Sequence, residues 1–215
     1  MNIGIIGSGN MGAALGKIWA NRGHRVMFSY SRDPQKLKSL AEAAGSNAMV
    51  GTSAEAAQFG EVLFLSVAPI VVEDALQAAG DLSGKVLITC VSGLKPDWSG
   101  QTMGLPTDLT HSIAEQIAQL APQAKVVEAF NTTFAEILQS ESRQFGADRP
   151  SVFYCGDDAP AKAIAAKLIE DCGYEAVDAG LLSKARSLES FATIWVQLAV
   201  VSEMFPNVAL KVLRR

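Results

Sequence analysis

Short runs in which nearly every residue is apolar or β-branched alternate along this chain with longer Ala-rich stretches of helical periodicity. The short runs are NIGIIG, RVMFSY, AMV, EVLFLSV, KVLITCV, KVVEAF, SVFYCG and EAVDAG. They read as continuous apolar segments, as strands buried on both faces should. Helical patterns at 10–22, 33–44, 53–58, 70–79, 110–121 and 159–172 lie between most of them. This alternation predicts an α/β fold, a doubly wound, mostly parallel sheet with helices on both faces.

Several boundaries carry their own chemistry. Asp33-Pro34 reads as an N-cap followed by proline at the first helical position. Gly45 and Gly80 stand where helix C-termini are expected, and GDDAP at 156–160 is a strand end running into a capped helix. The longest irregular segment, 92–108, leaves the carboxyl end of a central strand, where ligands of such sheets bind. From residue 188 the spacing predicts one long helix. Leu188, Phe191, Ala192, Trp195, Leu198 and Ala199 form one stripe; Ile194, Val201, Met204 and Phe205 form a second. One face can close the domain, and the other suggests a partner subunit.

Composition narrows the class. The chain has 215 residues, 49% of them hydrophobic and 19% charged, which suits a large globular domain with a small appendage. Net charge is −4 and the basic residues form no face, so nucleic acid is not an expected partner. The start MNIGIIGSGNMG reads as a strand rather than a signal peptide. FATIWVQLAVVSEMF holds Gln197 and Glu203 and is too short to span a bilayer. Cys90, Cys155 and Cys172 are widely separated and have neither metal nor redox spacing, which suggests reduced, mostly buried thiols in a cytoplasmic protein.

The chemistry starts at GIIGSGNMGAALG. Gly7, Gly9 and Gly12 form G-x-G-x-x-G directly after a strand and at the opening of a helix, the context that makes the motif a Rossmann dinucleotide site. Gly7 permits the tight turn, Gly9 lets backbone approach the pyrophosphate, and Gly12 lets helix and strand pack closely. Phosphate then meets free N–H groups at Asn10 and Met11, with Ser8 in the same loop. The second strand ends near Tyr30, where NAD sites place a carboxylate for the ribose 2′-hydroxyl. Here the chain reads YSRDPQK. Arg32 can fork onto a 2′-phosphate and stack on adenine, Ser31 can add a hydroxyl bond, and Lys36 adds charge one turn later. Asp33 is better used as the helix cap. Charged hydrogen bonds contribute roughly 1.5–3 kcal/mol each, so this is a site for NADP rather than NAD.

GxGNMG…SRDPxK, then LSVAP, AKVVEAFNT, GDD and VDAGLLSKARSLES follow in the order seen in the NADPH-dependent F-420 reductase family, which the chain resembles over essentially its whole length. It is also similar to the dinucleotide-binding domains of pyrroline-5-carboxylate reductases and STEAP metalloreductases. The resemblance implies a homodimeric enzyme passing hydride between NADP(H) and a small-molecule redox acceptor, the deazaflavin coenzyme F-420 or a flavin. It implies that Ser66, Val67, Ala68 and Pro69 border the ribose and nicotinamide. Phe130, Asn131 and Thr132 would lie near the reacting ring, with Asn131 and Thr132 as the catalytic pair. Residues 1–139 would form the NADP-binding Rossmann domain. Residues 140–215, a small and mostly helical extension, would complete the acceptor pocket and the dimer contact.

The residues themselves agree with hydride transfer that needs no acid–base machine. His24 reads as a surface turn residue and His111 stands near a helix start beside the 92–108 segment. Arg186 and Glu189 read as a helix-start ion pair. No metal-binding cluster is evident. Two positions depart from the family: Cys90-Val91-Ser92-Gly93 replaces an Asn-Pro step, and Asn131 stands where deazaflavin users carry histidine. The acceptor therefore stays open. The alternatives are a reductase of a small imine or carbonyl substrate and a non-catalytic NADP-binding sensor.

Overall fold

Each of the eight apolar runs becomes a strand. In the computed structural model they are β1 (Asn2–Ile6), β2 (Arg25–Ser29), β3 (Ala48–Val50), β4 (Val62–Leu65), β5 (Val86–Thr89), β8 (Lys125–Ala129), β9 (Ser151–Gly156) and β10 (Glu175–Asp178). A separate antiparallel pair, β6 (Lys95–Pro96) and β7 (Met103–Gly104), lies within the long irregular segment. The structure describes residues 1–31, 33–93, 95–96, 103–104, 110–200 and 202–215. Arg32, Val201 and much of 92–108 fall outside the described residues.

The eight strands form one sheet in the order β10-β9-β8-β5-β4-β1-β2-β3. Strands β3 through β8 in that order are parallel, and the order reverses between β1 and β4, the switch point at which such sheets open a crevice. Strand β9 joins β8 antiparallel, and β10 follows β9 in parallel. The sheet therefore continues without a break into residues 151–178.

Helices α1 (Asn10–Asn21), α2 (Pro34–Ala44), α3 (Ser53–Phe59), α4 (Val72–Ala79), α5 (Ile113–Leu120) and α7 (Ala159–Asp171) occupy the expected intervals. A 3₁₀ turn at Pro69–Val71 precedes α4. Asp33 caps α2 as expected, its Oδ1 accepting from the Gln35 and Lys36 N–H groups at 2.9 and 3.3 Å, with Pro34 at the first position. Gly45 and Gly80 end α2 and α4. The short helix α6 (Ala135–Gln139) has five residues, too few for a helical repeat to show in sequence.

Two apolar clusters pack against the two sheet faces. On one, Trp19, Phe64 and Phe130 meet edge to face with centroids 5.4–6.2 Å apart. The Trp19 indole N–H donates to the Leu168 carbonyl at 3.1 Å, fastening α1 to α7. The other cluster lies under α4, α5 and the 3₁₀ turn Leu182–Lys184. The two faces together make the strands buried on both sides, as their composition requires.

Three expectations change. The last helix, α8 (Ala185–Val200), ends before the second stripe does. The chain leaves through Glu203 in the left-handed region (φ 54°), ahead of Pro206, which has no N–H to continue a helix. Phe205 then packs edge-on to Phe134, which stacks on Trp195 at 5.5 Å. Within the first stripe Leu188, Ala192, Trp195 and Ala199 are buried, but Phe191 is 38% exposed. Second, His24 is buried rather than at the surface, hydrogen-bonded between the Met1 amino group and the Asp171 carboxylate. Third, Arg186 and Glu189 do not pair with each other. Arg186 forks onto Glu115 at 2.6 and 2.8 Å, and Glu189 accepts the Ala114 N–H.

Candidate functional site

Parallel pairing sets the strand ends side by side. Ser29, Ile6, Leu65, Thr89 and Glu128 are register partners in a row across β2, β1, β4, β5 and β8. The residues that follow them, Tyr30, Gly7, Ser66, Cys90 and, after Ala129, Phe130, consequently emerge along one edge. All of them line one of two adjoining cavities.

At the switch point the glycine loop turns from β1 into α1. Gly7 has φ 101°, and a Cβ there would lie 2.2 Å from the Ser66 carbonyl oxygen. Only glycine fits both the turn and this approach. A Cβ on Gly12 would lie 2.1 Å from the Gly7 carbonyl oxygen, so the helix rests directly on the turn. Gly9 differs, because a Cβ there meets open space within 4 Å on the cleft side. Gly9 caps α1 with no side chain contributing a hydrogen bond. The first-turn N–H groups of α1 receive no side-chain cap, and Asn10 and Met11 line the smaller cavity described below. The Ser8 hydroxyl is committed elsewhere, donating to the Ser29 carbonyl at 2.8 Å, so Ser8 faces the loop with its backbone.

The first cavity, about 680 Å³, is lined by Gly7, Ser8, Gly9, Tyr30, Ser31, Asp33, Lys36, Ser66, Val67, Ala68, Ile70 and Val71. Ser31 and Lys36, the residues expected to read a 2′-phosphate, both line it. Arg32, the residue assigned to grip it, lies between them in sequence but outside the described residues. Asp33, which also lines the cavity, uses its carboxylate on the α2 N–H groups. Tyr30 (φ 54°) and the 90% exposed Ile70 are apolar walls that the motifs did not single out.

The second cavity, about 380 Å³, is lined by Gly9, Asn10, Met11, Ser66, Val67, Pro69, Cys90, Val91, Ser92, Phe130, Asn131 and Thr133. It shares Gly9, Ser66 and Val67 with the first. Phe130, at φ 65° and 1% exposed, lines this cavity while its ring meets Trp19 and Phe64 in the aromatic core. Both amide atoms of Asn131, the Ser92 hydroxyl and the Thr132 hydroxyl are enclosed and find no partner among the described residues. Thr132 is 3% exposed, and Thr133 rather than Thr132 lines the cavity. The signal for Cys90, Val91, Ser92 and Thr133 was positional, since each follows a parallel strand at its carboxyl end.

Behind this cavity lies an acidic cluster. Glu128 on β8 is fully buried, and burial, with the charge of Glu189 added, holds its carboxyl well above the usual carboxylate range. Burial likewise raises Glu189, against hydrogen bonds from backbone N–H groups. The Cys90 thiol is pushed up to about 11 by burial, so it stays protonated and weakly nucleophilic. Another hollow, about 450 Å³ between the C-terminal ends of α4 and α5, lies away from the strand carboxyl ends and holds none of these groups.

Comparison with known proteins agrees with the geometry. Residues 2–93 match the family described as "NADP oxidoreductase coenzyme F420-dependent". Over 188 residues, 87% of this chain, the sequence is 30% identical to metalloreductase STEAP3 of Rattus norvegicus, and the matched part spans 36% of that protein. A structure from Arthrobacter sp. FB24, provisionally described as an F420-dependent NADP reductase, superposes with a TM-score of 0.87 at 28% identity, covering 99% of both chains. An imine reductase from Aspergillus terreus, solved with a reduced NADP, shares the fold with a TM-score of 0.61 at 20% identity, covering 95% of this chain and 61% of that one.

Proposed function

We propose that this chain, a relative of the coenzyme F-420-dependent NADP oxidoreductases, is itself an NADP(H)-dependent oxidoreductase acting on a flat redox acceptor, a deazaflavin such as F-420 or a flavin. The observation that carries this reading is the shared wall: a nucleotide cleft and a smaller, polar-rimmed cavity meet at Gly9, Ser66 and Val67. NADPH, when bound, supplies the hydride. The chain's own residues bind and orient. The α1 N-terminus and Gly9 seat the pyrophosphate, and Ser31, Arg32 and Lys36 hold the 2′-phosphate. Ser66, Val67, Ala68 and Pro69 border the nicotinamide end.

Asn131 and Ser92 line the smaller cavity, and the enclosed Asn131 amide has a donor and an acceptor without partners among the described residues. Such a set suits the paired C=O and N–H edge of a flavin-like ring better than a lone imine nitrogen. Among the described residues lining the two cavities there is no histidine, and the carboxylate present, Asp33, serves as a helix cap. This favours chemistry that asks for proximity rather than for a side-chain acid or base. The outward side of α8, with Phe191 and Ile194 38% and 54% exposed, is the surface on which we place a second copy in a homodimer. Three unpaired thiols fit a cytoplasmic setting.

The test is NADPH consumption by the purified protein, followed by loss of reduced-nicotinamide absorbance, with F-420, FMN, a quinone or a ferric chelate in separate reactions and NADH as control donor. Fast turnover with F-420 or FMN, selective for NADPH, is expected. Tight NADPH binding without turnover on any of the four would overturn the acceptor assignment and favour a sensor.

A further inference from the structure

Beyond α8 the chain folds back and is tied down at two places. The Met204 and Phe205 N–H groups donate to the Leu198 and Ala199 carbonyls at 3.3 and 3.0 Å, laying the segment on the last turn of α8. The Phe205 ring then meets Phe134 edge to face at 5.3 Å, and Phe134 stacks on the buried Trp195 at 5.5 Å. Phe134 directly follows Thr133, which lines the smaller cavity. Further along, Val208 is buried and the Leu210 carbonyl accepts the Ser151 N–H at 2.7 Å. The Val212 N–H donates to the Ser151 hydroxyl at 3.1 Å, and Lys211 pairs with Glu175 at 2.9 Å. Strand β9 runs antiparallel to β8 with Tyr154 opposite Ala129, so its start at Ser151 returns to the edge where Asn131 leaves β8. Both ties therefore lie beside the 131–133 wall of the cavity.

We propose that Phe205 is a positioning residue for the acceptor cavity: docked on Phe134, it holds the 131–133 wall in place, with 204–212 as the strap that carries it. The inference rests on reading the smaller cavity as the acceptor site. The physical reason lies in what else could hold this wall. Neither the Asn131 amide nor the Thr132 hydroxyl has a hydrogen-bond partner among the described residues. The following helix, α6, has five residues and begins at Phe134 without a side-chain cap, so it depends on tertiary packing. Aromatic packing at Phe134 supplies the constraint, and an edge-to-face pair sets the angle of a ring as well as its depth. The tie at Ser151 and Glu175 shortens the free segment, which lowers the entropy lost when Phe205 docks. Among the described residues lining the nucleotide cleft, none belongs to the strap.

Amide hydrogen exchange, read peptide by peptide in the mass spectrometer, reports the wall without needing turnover. For F205A we expect the peptide spanning 130–140 to exchange at least about tenfold faster, with the glycine-loop peptide unchanged. F205Y keeps the ring and should exchange like the parent. NADPH affinity stays within about twofold in both, whereas the KM for F-420 or FMN, whichever the parent reduces, rises at least about threefold in F205A alone. Unchanged exchange at 130–140 in folded F205A overturns the proposal, as does acceleration of all peptides together, which marks general loosening. Faster exchange with an unchanged KM also overturns it, because the wall would then not bear on the acceptor. Should F205A fail to fold, S151A, which releases the strap at its other tie, replaces it with the same expectation. If the parent protein reduces no acceptor, the functional reading fails on its own, and the exchange result still decides whether Phe205 holds the wall.

Discussion

Gly7 and Gly9 stand two positions apart in one loop and meet different constraints. Gly7 is demanded by the fold, through its positive φ and the Ser66 carbonyl 2.2 Å from any Cβ. Nothing in the protein demands Gly9, since the space beside it is open, and on the proposed reading the nucleotide does. Gly7→Ala should therefore lower stability by about 3 kcal/mol or more, visible in urea unfolding. Gly9→Ala should leave stability within about 0.5 kcal/mol yet weaken NADPH binding at least tenfold, about 1.4 kcal/mol, by titration calorimetry. Equal loss of stability in both would remove the distinction.

Glu128 carries a second residue-scale prediction. Its folded carboxyl is raised above the ordinary 4.5 by burial and by Glu189. The folded state thus keeps a proton that the unfolded chain gives up. Its contribution to stability is fully present below the ordinary value and is lost as pH rises toward the folded value, at about 1.4 kcal/mol per pH unit. Glu128→Gln, neutral at every pH, should flatten that decline between about pH 5 and pH 8 in urea melts. Parallel curves for variant and parent would contradict it. The type of this residue was plain in the sequence, but its burial was not. KVVEAF shows a glutamate inside an apolar strand, and only its burial in the fold, with the charge of Glu189 from α8, reveals why it holds its proton.

Among the elements, helix starts were the most legible, because a cap is a local device. Asp33-Pro34 opens α2 as read, and Thr52 with Glu55 forms a reciprocal capping box on α3. The α2 start also carries Lys36 to the nucleotide cavity. Asp33→Ala should cost about 1 kcal/mol of stability and, by loosening that first turn, weaken NADPH more than NADH. Equal loss for the two nucleotides would separate the cap from 2′-phosphate recognition. The element least legible in sequence was α8. Its apolar positions run past its end, and what stops it is backbone geometry at Glu203 and the docking of Phe205 on Phe134.

For the molecule as a whole, the sheet order puts the glycine loop, the start of α2 and both cavities on one edge, leaving α8 with buried and outward-facing residues on opposite sides. Among the described residues, no helix is long and apolar enough to cross a membrane. The exposed Ile194 is the test of the proposed homodimer. Ile194→Glu should shift the protein toward monomer in sedimentation velocity with its NADPH affinity intact. A parent that already sediments as a monomer would remove the second copy from this face.

The strands, most helix starts and the nucleotide motif were determined by sequence alone, since continuous apolar runs, caps and G-x-G-x-x-G each act over a few neighbouring residues. Packing across the sheet decided the rest. It turned β9 antiparallel to β8, drew the Phe130 ring into the core, and enclosed the Asn131 amide at the second cavity. It also joined Glu189 to a helix start 75 residues away. Such contacts depend on which segments the folded chain brings together, and neither composition nor local spacing encodes that.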